Sequence, residues 1–139
     1  EGILKIGDSA FRDSSLATLI IPDSVTSIGD GAFSWCRFLS SIIIPDCVTS
    51  ISDEAFLWCV SLFSITIPDS VTSIGDKAFF WCESLSSITI PDSVNFIGSD
   101  VFWHCPNLTE IKVSEKSYAY DYCMNNGYGH LLSYTPSWL

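Results

Sequence analysis

The sequence predicts an α/β repeat fold, a solenoid in which coils of one short strand and one short helix stack along an axis. The first observation is repetition, because residues 68–90 match residues 45–67 at 17 of 23 positions. The unit recurs from Pro22 and, more loosely, from Pro91, so the period covers most of the chain. The second observation is that each unit holds about eight apolar side chains, too few to offset the entropy of ordering it alone. Neighbouring coils must therefore share one core.

A leucine-headed apolar pattern marks the strand of each unit. Across Ile65, Thr66 and Ile67 apolar residues alternate with a polar one, which predicts a short strand with one face inward. Pro68 cannot continue the strand ladder and favours a turn. Five such segments are present, at residues 16–21, 39–44, 62–67, 85–90 and 108–113.

The segment after the turn predicts a short helix. Ala78, Phe79, Cys82 and Leu85 lie at positions i, i+1, i+4 and i+7, one apolar stripe of a 3.6-residue period. Asp76 precedes this stripe and is predicted to be its N-cap.

The two ends depart from the repeat. Residues 3–21, beginning at Ile3, form a degenerate first unit that lacks the Trp and Cys, so we expect a shorter, unshielded coil there. After Val113 the period is lost, and Ser117 as N-cap with Gly127 as stop predicts a helical C-terminal cap. The tail that follows allows a last strand at Leu131 and Leu132. The predicted division is thus repeats in about five coils at 1–113, and cap and tail at 114–139.

Composition limits the classes of partner. The chain is 47% hydrophobic, enough for a sizeable core, and its net charge of -10 opposes binding to nucleic acid. No run of 18 apolar residues is present, so no membrane span is predicted. Because the chain begins without Met and within a repeat, we expect a piece of a longer protein.

Four of the six cysteines, Cys36, Cys59, Cys82 and Cys105, occupy one slot of the repeat. Equivalent positions on adjacent coils lie about 4.8 Å apart, a distance that leaves disulfide pairing open. A buried column of free thiols is the favoured interpretation, because cysteine behaves as a small buried hydrophobe. A straight column cannot surround a zinc ion tetrahedrally.

The pattern CxxLxxIxIPxxVxxIGxxAFxxC, from Cys59 to Cys82, resembles the BspA-like leucine-rich repeat proteins. The likeness spans residues 3 to about 128. It implies a curved, right-handed solenoid with short parallel strands on the concave face and short helices on the convex face. It also implies a cell-surface or secreted protein with a role in adhesion or recognition, and no catalytic residues. The resemblance does not identify the ligand. Trp35, Trp58 and Trp81 differ from the residues that this family usually has immediately before the repeated Cys.

The outward strand positions form the first candidate surface. It is small, hydroxylated and weakly charged, which suits a peptide or a glycan better than a phosphate. A solvated sheet face without a single ligand is the alternative. The candidate binding residues are Ile43, Phe63, Thr66, Thr89 and Lys112, with Ile20 beside them.

The indoles mark a second candidate surface on the convex side. Helical geometry predicts Trp35, Trp58 and Trp81 at the flank of the core, half-buried between coils, where they serve as packing spacers. The residues that precede this slot are predicted to point away from the core, and they are Ser34, Leu57, Phe80 and Trp103. The alternative interpretation is an apolar interface for a partner or for self-association, formed by Leu57, Phe80 and Trp103 with the indoles.

The remaining polar columns have structural explanations. Aspartates recur after each proline, from Asp23 to Asp92, and before each predicted helix, from Asp8 to Asp76. Turn and N-cap roles explain both columns, with a bridging calcium ion as the alternative. His104 and His130 are predicted to be surface histidines, and no motif of hydrolases, zinc enzymes or phosphate loops occurs. We therefore expect no enzyme activity, metal or cofactor.

Overall fold

The computed structural model describes residues 2 and 4–135, and the fold class predicted from the sequence is confirmed. Eleven strands and one α-helix follow the chain in these residues. The strands are β1 Lys5–Ile6, β2 Thr18–Ile20, β3 Ser27–Ile28, β4 Ser41–Ile43, β5 Ser50–Ile51, β6 Ser64–Thr66, β7 Ser73–Ile74, β8 Ser87–Thr89, β9 Phe96–Ile97, β10 Glu110–Val113 and β11 Leu132–Tyr134. Helix α1 spans Tyr118–Asn125, and a 3₁₀ turn spans Gly129–Leu131.

The longer strands form one parallel sheet of six, in the order β11-β10-β8-β6-β4-β2. Residues one repeat apart are partners, so Ile20 pairs with Ile43, Ile43 with Thr66, and Thr66 with Thr89. The two-residue strands form separate parallel ladders, β1-β3 and β5-β7-β9. Each coil therefore contributes one rung to a sheet and one rung to a side ladder.

A single apolar core runs through all the coils. Phe11, Phe33, Phe56, Phe79 and Phe102 stack in one column with ring centroids 5.4, 5.4, 5.6 and 5.9 Å apart. Equivalent valines, isoleucines and leucines are buried beside them in the same way. Residues separated by one repeat in sequence are thus neighbours in space, as the period predicts.

The convex segments differ from the prediction, because they are turns and not short helices. Residues 53–58 and 76–81 are turns throughout, with positive φ at Glu54 (58°), Trp58 (60°), Lys77 (56°) and Trp81 (63°). Alternate backbone N–H groups of this face donate to the next coil, as from Phe56 N to Ala78 O at 2.9 Å, and the groups between them bond within their own turn, as from Leu57 N to Glu54 O at 3.1 Å. An α-helix would bond those groups within its own coil. Bonding between coils therefore replaces the helical pattern.

The predicted helix N-caps also bond between coils. The Asp53 carboxylate accepts from the backbone N–H of Asp76 at 2.8 Å, and that of Asp76 accepts from Ser99 N at 2.9 Å. Gly75 allows this approach, since a Cβ there would collide with Asp53. In place of such a glycine, Ser52 donates its hydroxyl to Ile28 O at 2.6 Å.

The ends of the solenoid are unlike each other. At the first coil Leu16 is 38% exposed and Ala10 is exposed, as expected for an unshielded coil, whereas Ile3 lies outside the described residues. At the other end the predicted cap helix is confirmed, because the Ser117 hydroxyl accepts from Tyr120 N at 3.1 Å. Strand β11 then adds a sixth rung beside β10, with Leu132 opposite Ile111.

Residues 136–139 of the predicted tail lie outside the described residues, and the division after residue 113 remains our proposal. In the part of the chain that is described, no helix has the length and apolarity needed to cross a bilayer.

Candidate functional site

The outward side of the six-stranded sheet, here called the concave face, carries the predicted binding residues. Ile43 is 78% exposed and Phe63 is 61% exposed, and Thr66, Thr89 and Lys112 are exposed as well. The parallel register places Ile43, Thr66, Thr89 and Lys112 on consecutive strands in one row. The structure therefore brings the predicted residues together on one surface.

The chemistry of the concave face changes along its length. Its first strands expose aliphatic groups, since Ile20 is 92% exposed beside Ile43. Its middle strands expose the hydroxyl groups of threonines. At its last repeat the Lys112 ammonium group pairs with the Glu110 carboxylate at 3.8 Å, and both side chains are well exposed. Such a face can bind a ligand by apolar contacts and hydrogen bonds, with little net charge.

The indole column lies half-buried on the convex side, as the sequence predicts. Trp35 stacks on Trp58 with centroids 4.6 Å apart, and Trp58 stacks on Trp81 at 4.4 Å. His104 continues the column on Trp81 at 3.7 Å. The ring faces inside this column are therefore covered by one another.

The prediction that the residues preceding the indole slot form an outward-facing stripe is wrong in part. Trp103 is 47% exposed, but Leu57 and Phe80 are only half-buried, and Ser34 is fully buried. Helical geometry predicted their directions, and these segments are turns, so the predicted angle does not apply. Phe80 stacks under Trp103 at 4.9 Å, which leaves Trp103 as the stripe's most exposed ring.

Sequence reasoning missed a groove between the last repeat and the cap, with a volume of about 420 Å³. The groove exists because the segment after α1 folds back onto residues 102–108, a contact that no repeat pattern signals. His104, in the slot of the indoles, was the only local sign. Its lining residues are Phe102, Trp103, His104, Cys105, Pro106, Leu108, Gly127, Tyr128, His130 and Leu131.

Phe38 and Phe96 are also exposed apolar side chains that the sequence analysis did not single out. They are 64% and 52% exposed, respectively. Each stands in a slot that holds serine in the other well-matched repeats, and this contrast was the available signal.

The cysteine column consists of free thiols, as favoured from the sequence. Each thiol donates to a phenylalanine carbonyl of the preceding coil, as from Cys59 Sγ to Phe33 O at 3.0 Å and from Cys82 Sγ to Phe56 O at 3.2 Å. Burial raises the pKa of the Cys59 and Cys82 thiols, and it raises the pKa of Cys105 to about 11. The buried thiols therefore stay protonated near neutral pH and are poor nucleophiles and metal ligands.

The acidic columns do not form a cation site in the part of the chain that the structure describes. No three His, Cys, Asp or Glu residues there lie close enough to hold a metal ion. The carboxylates of Asp8, Asp53 and Asp76 bond to backbone N–H groups of the next coil, which gives them a structural role.

Comparison with known families identifies a repeat family that matches the chain. The model of the BspA type leucine rich repeat region matches six copies over residues 4–128. No curated protein matches the chain.

Two solved structures are similar at the level of sequence and fold. A leucine rich repeat protein from T. pallidum is 37% identical with a TM-score of 0.78, over 80% of this chain and 52% of that one. A leucine rich cell surface protein from Faecalibacterium prausnitzii is 41% identical with a TM-score of 0.77, over 80% of this chain and 30% of that one. The chain thus spans about half or less of each of these proteins.

A third structure is similar in fold alone. It is a leucine-rich repeat protein from Bacteroides ovatus, 24% identical with a TM-score of 0.54 over 96% of this chain and 46% of that one.

Thiol labelling tests the buried column. In native protein at pH 8, iodoacetamide should modify exposed Cys47 first and should leave Cys59 and Cys82 unmodified, because their burial disfavours the thiolate. Mass spectrometry of digested samples locates the labels, with urea-unfolded protein as the control in which all six react. Rapid labelling of Cys82 in the native state, or a disulfide within the column, would contradict this account.

Proposed function

This chain belongs to the BspA-type leucine-rich repeat family, and from that premise we propose that it is a non-enzymatic recognition module of a cell-surface protein, binding a protein or glycan ligand along its concave face. The family's repeat architecture supports a role in binding, because stacked coils present one long, continuous surface. The similar protein from F. prausnitzii is described as a cell surface protein, which supports a surface or secreted location for this chain.

Exposed apolar side chains on a regular sheet are the observation that carries this proposal. Ile20, Ile43 and Phe63 are 92%, 78% and 61% exposed on the concave face, although the repeat places serine or threonine at most of the matching positions in later repeats. Apolar groups held in solvent without a packing role are typical of an interaction surface. A ligand that covers them gains the free energy of removing that area from water.

The rest of the concave face favours a ligand with little charge. Thr66 and Thr89 offer hydroxyl groups that donate and accept hydrogen bonds, and Lys112 is already paired with Glu110. An extended peptide or a sugar chain matches this mixture, and a phosphate-rich polymer does not. The net charge of -10 adds repulsion against such a polymer.

Matched threonine variants test the concave face. Arrays of glycans and of extracellular matrix proteins provide the ligands, and every hit is then titrated with Thr66→Arg and with Thr72→Arg. Both threonines are exposed and stand six residues apart in the chain, but Thr72 lies outside the six-stranded sheet. Thr66→Arg should weaken binding at least about tenfold, or about 1.4 kcal/mol, by blocking the face, and Thr72→Arg should leave binding unchanged. Equal affinities of the two variants for every ligand would contradict binding at the concave face.

Self-association is the second candidate function, through the first coil or the convex rings. The first coil favours it, since Leu4 and Leu16 are 62% and 38% exposed at the end of the core. The convex side adds Trp103, which is 47% exposed beside the half-buried Leu57 and Phe80. A second copy that covers either surface would bury apolar area that a monomer leaves in water.

Sedimentation velocity over a range of concentrations tests this candidate. If the chain associates through these surfaces, Leu16→Asp or Phe80→Asp should shift the population to monomer, because a charge would be buried at the contact. Phe63→Asp is the control, since it places the same charge on the concave face. A wild-type chain that stays monomeric at every concentration would eliminate self-association.

A further inference from the structure

Three columns of rings run along the solenoid and end at the last repeat. The core column ends at Phe102, the indole column ends at His104, and the short outer column of Phe80 ends at Trp103. After this repeat the period is lost and α1 follows in place of another coil, so no further ring continues any column by repetition.

The cap closes only one of the three columns. Tyr128 meets Phe102 edge to face, with centroids 5.7 Å apart and the planes at 87°. Trp103 has its stacked partner in Phe80, and His104 has its close stacked partner in Trp81. Trp103 and His104 line the groove, whereas Phe80 and Trp81 do not. Trp103 also meets the rings of Trp81 and His104 in tilted contacts, with centroids 5.6 and 5.3 Å apart. Because Trp103 and His104 are exposed and line the groove, the ring surface that these contacts leave uncovered borders it.

The groove combines this uncovered ring surface with polar groups. His104 and His130 are exposed along it, and each imidazole carries ring nitrogens that can donate or accept hydrogen bonds. Among the described residues that line it there is no Asp, Glu, Lys or Arg. Its volume of about 420 Å³ lies in the range of small-molecule sites.

We propose that this groove binds a pyranose ring of a neutral saccharide. A pyranose has an apolar face of C–H groups, which would lie on the open face of Trp103, and a polar edge of hydroxyl groups, which would meet His104 and His130. An aromatic side chain would cover the ring face equally well, but it would leave both imidazoles without hydrogen-bond partners from the ligand. The site is separate from the concave face and does not depend on binding there.

The walls of the groove are fixed before a ligand arrives. Trp103 is held by its stack on Phe80, and the Phe80 ring also contacts the Lys77 ammonium group, 5.5 Å from the ring centroid, and the Trp81 ring, at 6.2 Å between centroids. The opposite wall is anchored because the Tyr122 hydroxyl donates to Gly98 O at 3.0 Å and Tyr128 N donates to Cys123 O at 2.9 Å. A preformed site loses less conformational entropy on binding than a flexible one.

The test titrates the protein with the methyl glycosides of glucose, galactose, mannose and N-acetylglucosamine and with their common disaccharides. Tryptophan fluorescence and saturation-transfer NMR report binding. At least one sugar should bind saturably with a millimolar dissociation constant, and its ring C–H protons should receive the strongest saturation. Trp103→Ala should weaken that binding on the order of tenfold or more, because it removes the stacking face. His130→Ala should also weaken it, whereas Phe38→Ala, which removes an exposed ring outside both the groove and the concave face, should have no effect.

Circular dichroism tests whether each variant is folded. If Trp103→Ala does not fold, the sugar affinity of His130→Ala alone decides whether the groove is the binding site. The proposal is overturned if no glycoside of the panel binds, or if binding survives both groove substitutions. It is also overturned if N-acetyl-tryptophanamide, which mimics an aromatic side chain of a protein, occupies the groove more tightly than every glycoside. None of these results bears on the concave face, whose variants are measured separately.

Discussion

Hydrogen bonds between adjacent coils are the constraint on which the rest of the structure depends. On the convex side backbone N–H groups donate to the next coil, as from Trp35 N to Leu57 O at 2.7 Å. In the core the bonds run the other way, since Cys59 Sγ donates to Phe33 O at 3.0 Å. Because these bonds fix a shift of one repeat, they also align side chains into columns of phenylalanine, indole and thiol. A coil without neighbours would lose the partners of most of these groups.

The repeat itself made the architecture predictable, because a period of 23 residues fixes which side chains are neighbours. Strand positions such as Ile65, the capping role of Ser117 and the thiol column followed from local patterns. The convex helices did not form, because the apolar spacing at Ala78 and Cys82 is equally satisfied by turns that bond to the next coil. The spacing of apolar residues indicates which residues face inward, but it does not indicate which atoms accept hydrogen bonds from the backbone N–H groups.

The candidate surfaces also differ in whether the sequence predicts them. The concave row was predictable because register follows from the period, and every strand contributes the same two outward positions. Neither the buried Ser34 nor the groove beside Trp103 was predictable. Ser34 depends on turn geometry, and the groove depends on how a segment without any repeat folds back on the last coil. The regular part of the molecule thus presents one broad face, and the junction between the last repeat and the cap presents a small groove.

A double-mutant cycle in the phenylalanine column tests the coupling of adjacent coils most directly. Phe56 and Phe79 stack at 5.6 Å, whereas Phe33 and Phe79 are separated by Phe56. Urea unfolding of the single and double Phe→Leu variants should give a coupling free energy of about 0.5–1.5 kcal/mol for the adjacent pair. The separated pair should be additive within about 0.5 kcal/mol. Additive effects for Phe56 and Phe79, or equal coupling in both pairs, would contradict a stack in which each coil is held by its immediate neighbours.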